Sequence, residues 1–133
     1  MGETMKIGIM TMEQYKNRTI AVAAGRYAPG RNEPKVWFPS IESALQVLSS
    51  KNQDLLRIIV EKKPDSLTEL ADMTGRSKSN LSRTLKTMER YGIIDIIRES
   101  RRIIPLPKAK RFQIDIQLTA PQHQGRVATP KKA

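Results

Sequence analysis

Between residues 40 and 118 the spacing of apolar positions changes from a helical to a strand period, and that change predicts helices first and strands afterwards. Ser40 caps a helix that places Ile41, Ala44, Leu45 and Leu48 on one face. A second helix begins near Asn52, carries Leu55, Leu56, Ile59 and Val60, and ends at Pro64. Ser66 and Glu69 have capping-box spacing and open a short helix with Leu67, Leu70, Ala71 and Met73 that stops at Gly75. Ser77 caps the next helix, in which Leu81, Leu85 and Met88 recur at i, i+4 and i+7 before Tyr91 and Gly92 end it. From residue 93 the period falls to two. IIDII (93–97) and RIIPL (102–106) flank the polar turn RESR (98–101), the pattern of an antiparallel hairpin whose return strand Pro105 places at an edge. FQIDIQL (112–118) alternates strictly, with Phe112, Ile114, Ile116 and Leu118 on one side, and reads as a half-buried strand.

The N-terminal part is less regular. Met5 to Met10 suggests a short strand, and Thr11 with Gln14 opens a helix running to about Ala24, with Gly25 as its stop. Arg26 to Pro39 holds three prolines and reads as an extended linker from which Val36, Trp37 and Phe38 dock on the core. Trp37 and Phe38 are read as core or dimer contacts, not as base-stacking groups. Residues 119–133 lack periodicity and large apolar side chains, the composition of a disordered tail. The expected organisation is an N-terminal arm over 1–39 for dimer or partner contact, a helix-turn-helix domain over 40–118, and the tail over 119–133.

A chain of 133 residues fits one domain. With no cysteine and one histidine, His123 in the tail, it has neither a disulfide framework nor the elements of a His/Cys metal site. Glu61, Asp65, Glu69 and Asp72 read as a cap and exposed helix positions, and no phosphate-cradling glycine loop or nucleophile elbow appears. The expectation is a protein that is not an enzyme and needs no cofactor. Nothing at the N-terminus resembles a secretory signal, and no stretch approaches the ~18 apolar residues of a membrane span, so a cytoplasmic location is expected.

The formal net charge of +11 implies an anionic partner, and its distribution says where that partner binds. Residues 76–111 hold eleven Lys or Arg against three acids, whereas residues 40–75 hold four against six. The excess is therefore a local footprint. Within it, two helices joined across TGRS form a helix-turn-helix: Ala71 is small at the crossing, Gly75 permits the reversal, and Leu81 and Leu85 pin the second helix to the first. At about 100° per residue, Leu85 and Met88 lie within about 40° of Leu81, while Ser79, Arg83, Lys86 and Arg90 lie at about 140–200°. RSKSNLSR (76–83) supplies the side-chain types that read base edges in the major groove. Lys78, Ser79, Asn80 and Arg83 are assigned to bases or nearby phosphates, and Ser77, Lys86 and Arg90 to phosphates. Arg101 and Arg102 at the hairpin tip suit a wing contact to flanking phosphate or the minor groove.

The motif SLTELADMTGRSKSNLSRTLKTMERYGII (66–94), within three helices and a hairpin from Leu55 to Arg102, resembles the winged helix-turn-helix of MarR- and ArsR-type regulators. The longer order of KIGIM, a helix ending in AAGRY, KVWFPSIESALQVLS and then this motif resembles prokaryotic DNA-binding proteins described as antitoxin-like regulators, over roughly residues 5–118. That resemblance implies a recognition-helix role for Arg76, Ser77, Lys78, Ser79, Asn80 and Arg83, and a second role in neutralising a cognate toxin and repressing the protein's own operon. The fold class expected is α+β, mainly α: a winged helix-turn-helix with an N-terminal helical arm and a C-terminal β-hairpin plus an extra strand. The function expected is a dimeric, sequence-specific transcriptional regulator of duplex DNA. The rival is a protein-interaction module, toxin-neutralising or adaptor, in which DNA binding is secondary.

Overall fold

A computed structural model describes residues 4–118. The tail over 119–133, with its expected disorder and His123, lies outside the described residues. Ten elements follow in order: β1 (Thr4–Ile9), α1 (Met12–Ala23), β2 (Val36–Phe38), α2 (Ile41–Val47), α3 (Ser50–Lys62), α4 (Leu67–Thr74), α5 (Lys78–Arg90), β3 (Ile94–Glu99), β4 (Arg102–Pro107) and β5 (Arg111–Ile116).

Hydroxyl side chains set where the helices begin. Thr11, Ser40, Ser49, Ser66 and Ser77 each accept a hydrogen bond from the backbone N–H three residues on, satisfying a donor that has no partner within the helix. At Thr11 the box is reciprocal, since Gln14 Oε1 accepts from the Thr11 N–H at 3.0 Å. Ser49 starts α3 earlier than the sequence pattern suggests. The Asn52 side chain instead donates back to the Val47 carbonyl at 2.9 Å and Gln53 to the Leu48 carbonyl at 2.8 Å, closing the α2–α3 corner. The buried face of α2 is Ala44 and Val47, continued by Leu48, and Leu45 is 51% exposed, so the expected face is turned by part of a residue step.

The largest departure from the sequence reading lies in the first 39 residues. β1 is the middle strand of a three-stranded parallel sheet, order β2-β1-β5, with Ile7 opposite Val36 on one side and Ile114 on the other. Residues 26–39 are thus not simply a linker: they hold buried Tyr27 and Pro34 and end in a strand. Packing runs across the expected boundary at residue 39, because Ile7 and Phe38 belong to the same core as Leu55, Ile59, Leu70, Leu81, Leu85 and Met88. A parallel partner is remote in sequence, and three apolar residues between prolines carry no signal of it.

The two faces of this sheet are covered differently. Ile7 and Phe38 are fully buried against the helices, with Met5, Ile9, Val36 and Phe112 packed beside them. On the opposite face the Trp37 indole lies across Gly8, where any side chain would overlap it, which is why this strand needs glycine. The Arg18 guanidinium of α1 sits 5.4 Å from the Trp37 ring centroid and 5.8 Å from that of Tyr27, and pairs with Glu33 at 2.6 Å. This cluster fastens α1, which buries none of its own residues, to the sheet.

The hairpin forms as expected, in register Ile96 opposite Pro105 and Glu99 opposite Arg102. Its two-residue loop, Ser100–Arg101, has positive φ at both positions (50° and 65°), as a type I′ turn requires, without the glycine that usually relieves it. β5 also forms, but its apolar side is less covered than its alternation suggests: Ile114 and Ile116 are 38% and 53% exposed, and Leu118, beyond the strand, is 90% exposed. No helix among the described residues is long and apolar enough to cross a membrane.

Candidate nucleic-acid interface

The α4–α5 corner is built from backbone-directed side chains. Ser66 Oγ accepts from the Glu69 N–H at 3.0 Å, while Glu69 Oε1 accepts from the Asp65 N–H at 2.8 Å, one residue before the position that a reciprocal capping box would use. Gly75 ends α4 at φ 76°, a left-handed conformation that costs any residue with a Cβ, and its N–H donates to the Ala71 carbonyl. Thr74 Oγ1 donates to the Leu70 carbonyl and accepts from the Arg76 N–H. Two residues after Gly75, Ser77 caps α5.

Burial of Leu81, Leu85 and Met88 fixes the rotation of α5. Ser77, Lys78, Ser79, Arg83, Lys86 and Arg90 are all exposed, so the polar face derived from periodicity is the solvent face. Lys78, Arg83, Lys86 and Arg90, together with Arg101, are in no ion pair among the described residues. Ser79, Arg83, Lys86 and Arg90 therefore share one exposed face, with Ser77 and Lys78 exposed beside it at the start of the helix, and Lys78, Arg83, Lys86 and Arg90 are cations available to an external anion.

Arg76 and Asn80 are placed differently from the rest. The Arg76 guanidinium donates to Asn80 Oδ1 at 2.8 Å, Asn52 Oδ1 at 3.2 Å and Thr84 Oγ1 at 3.1 Å. Arg76 thus clamps the start of α5 to the start of α3, and partial burial lowers its pKa from the ordinary arginine value. Asn80 is held by its oxygen, and its amide nitrogen donates to no other group among the described residues. Thr84 and Asn52 complete a clamp that sequence reading did not identify. The spacing of 76, 80 and 84 is a signal for two of its bonds, and nothing local points to Asn52.

The wing is tied back to the same helix. Arg98 Nη1 and Nη2 donate to the Glu89 carboxylate at 3.1 and 3.0 Å, and this hydrogen bonding holds the Glu89 pKa below the usual glutamate range and raises that of Arg98. Lys108 lies 3.7 Å from Asp95. Two of the three acids in the basic stretch are thereby paired by wing cations. Arg102 lies 3.9 Å from Asp65, beside the α3–α4 link, whereas Arg101 stands exposed at the tip.

Three helices ending in an outward basic face, followed by a two-stranded hairpin, define a winged-helix-like protein of the α+β class. Residues 47–114 match the model of the family described as HVO_A0114, and because these are 68 of 133 residues the chain belongs to that family. A solved structure described as a predicted DNA-binding transcriptional regulator from E. coli is similar at 25% identity, covering 74% of this chain and 85% of that one, with a TM-score of 0.41. No curated protein sequence matches the chain.

Proposed function

We propose that this protein is a sequence-specific duplex-DNA-binding transcriptional regulator of the MarR/ArsR-like kind, acting as a dimeric repressor of its own operon and as the antitoxin of a toxin–antitoxin pair. The observation that carries the DNA reading is the exposed surface of α5, held outward by three buried apolar residues and bearing Arg83, Lys86 and Arg90 on one face and Lys78 in the first turn, all without ion-pair partners among the described residues. α5 lies in the major groove, with Lys78, Ser79, Asn80 and Arg83 toward base edges and Ser77, Lys86 and Arg90 toward phosphates. Arg76 acts chiefly by orienting Asn80, whose amide then donates to an acceptor on a base. One short helix offers few base contacts, and two-fold pairing on a palindrome doubles them.

The test is a titration against duplex DNA from the protein's own promoter and against scrambled duplex, each at two salt concentrations. Tighter promoter binding with a negative salt slope is expected, and equal affinity for both duplexes would reduce the interaction to nonspecific charge. Arg83→Ala is expected to weaken promoter binding by about 1–3 kcal/mol with an unchanged thermal midpoint, because the side chain is exposed. Promoter affinity equal to that of the parent would remove Arg83 from the interface.

Arg101 adds a separate argument for the wing, since a non-glycine residue at φ 65° persists at a cost and such strain collects at functional positions. Arg101→Gly is expected to stabilise the fold by about 1 kcal/mol in denaturant titration. The same substitution should lower the salt slope of DNA binding by about one unit. Stabilisation with an unchanged slope would remove the wing from the contact.

The rival reading, a toxin-neutralising or adaptor module, is favoured by α1, where Met12, Tyr15 and Ile20 are 70%, 42% and 49% exposed.

A further inference from the structure

β5 is the outer strand of the parallel sheet, and its second edge is unpaired among the described residues. Exposed edges of this kind invite pairing with another chain and are usually blunted by proline, a bulge or a run of like charge. RFQIDI has no proline and pairs with β1 in unbroken register, and its two charges, Arg111 and Asp115, are of opposite sign and so do not repel a second copy. On the face that β5 shares with the core, Ile114 and Ile116 are exposed beside an open groove of about 540 Å³ lined by Leu45, Leu48, Leu56, Val60 and Phe112. Arg111 and Asp115 point to the opposite face of the strand, and neither is in an ion pair among the described residues.

We propose that β5 is the homodimer interface, pairing antiparallel with β5 of a second copy about a two-fold axis at Gln113, so that two three-stranded sheets join into one of six strands. The inference rests on the dimeric reading above and assigns the surface that reading leaves open. The occupant is argued from the strand's own sequence, because RFQID is complementary to itself reversed. With Gln113 opposite Gln113 of the partner subunit, Arg111 falls opposite Asp115 of the partner subunit, and symmetry repeats the ion pair. On the other face Phe112 falls opposite the partner's Ile114, an aromatic–β-branched pair. A slip of one residue sets Arg111 against an isoleucine, because residues directly opposite share a face. A slip of two sets Arg111 against a glutamine and Asp115 against Gln113 or Ala109, so neither charge keeps its partner. The same strand supplies both halves of the match, which a foreign peptide would have to reproduce by chance.

The experiment uses the full chain. Sedimentation equilibrium should show a dimer at micromolar concentration. Asp115→Arg, which replaces two attractions with two repulsions, should weaken the dimer by about tenfold or more while leaving the thermal midpoint unchanged at dilutions where both proteins are monomeric. The double variant R111D/D115R should restore it to within about threefold of the parent. The sequence contains no cysteine, so each introduced thiol is unique. Oxidised Gln113→Cys should yield a disulfide-linked dimer, since directly opposed Cα atoms lie about 4.5–5.5 Å apart. Asp115→Cys should not, because its two copies are four residues out of register, about 13 Å apart.

A wild-type monomer at about 100 µM, far above the concentration at which a regulator's dimer must form, would overturn the proposal. So would a dimer indifferent to Asp115→Arg that gives no Gln113→Cys cross-link, which would place the interface elsewhere, α1 being the first surface to probe. Promoter titration of the same samples separates the two readings. A monomer that prefers the promoter sinks the β5 interface alone, and a cross-linked dimer without promoter preference sinks the DNA reading alone.

Discussion

Phe38→Ala is expected to lower the free energy of unfolding by about 3–5 kcal/mol, read from the midpoint of urea denaturation at constant m. The ring is fully buried and stacks on Tyr91 at a centroid distance of 4.2 Å and an interplanar angle of 17°. Its removal leaves a cavity where β2 meets the end of α5, and the lost stacking adds about 0.5–1.5 kcal/mol beyond area burial. Surface and linker substitutions usually stay within about 0.5 kcal/mol. A loss that small would mean that β2 is peripheral and that the first 39 residues behave as the arm that the sequence pattern suggests.

The second large effect is Leu85→Ala, expected to destabilise the protein by about 2–5 kcal/mol through a cavity between α5 and the rest of the core. Leu85 is 1% exposed and lies about 160° around α5 from the exposed Arg83. DNA affinity measured well below the thermal midpoint should therefore fall only in proportion to the unfolded fraction. A variant with parental stability would mean that α5 is rotated from the orientation described. Together with Arg83→Ala, which should change binding and spare stability, the pair separates the two faces of one helix.

The dimer question gains most from the sheet. Sequence pattern points to residues 1–39 as the contact arm, yet β1 is flanked on both sides and offers no edge. The exposed candidates are α1, the outer edge of the three-residue β2, and β5, and β5 is the longer outer strand and carries the self-complementary charges.

Some features were decided by neighbours close in sequence, and those were legible in the chain. Hydroxyl caps at Thr11, Ser40, Ser66 and Ser77, the stop at Gly75, the i, i+4, i+7 spacing of Leu81, Leu85 and Met88, and the Ile94–Pro107 hairpin all arise from local backbone hydrogen bonding and from side-chain period. The outward basic face of α5 follows from the same arithmetic, since a helix that buries one stripe exposes the opposite one. Other features depended on residues far apart in sequence. The parallel pairing of β1 with β2 and β5 joins the two ends of the described chain, and no short window contains both partners. Arg76 illustrates the same limit in one side chain: its charge and place in the motif mark it for DNA, but Asn52, 24 residues earlier, turns it inward. The sequence by itself determined where helices begin and end and which way α5 faces. Tertiary structure alone decided which strands meet, which cations are already engaged and which edge is left open, because those outcomes depend on packing between segments that local spacing cannot bring together.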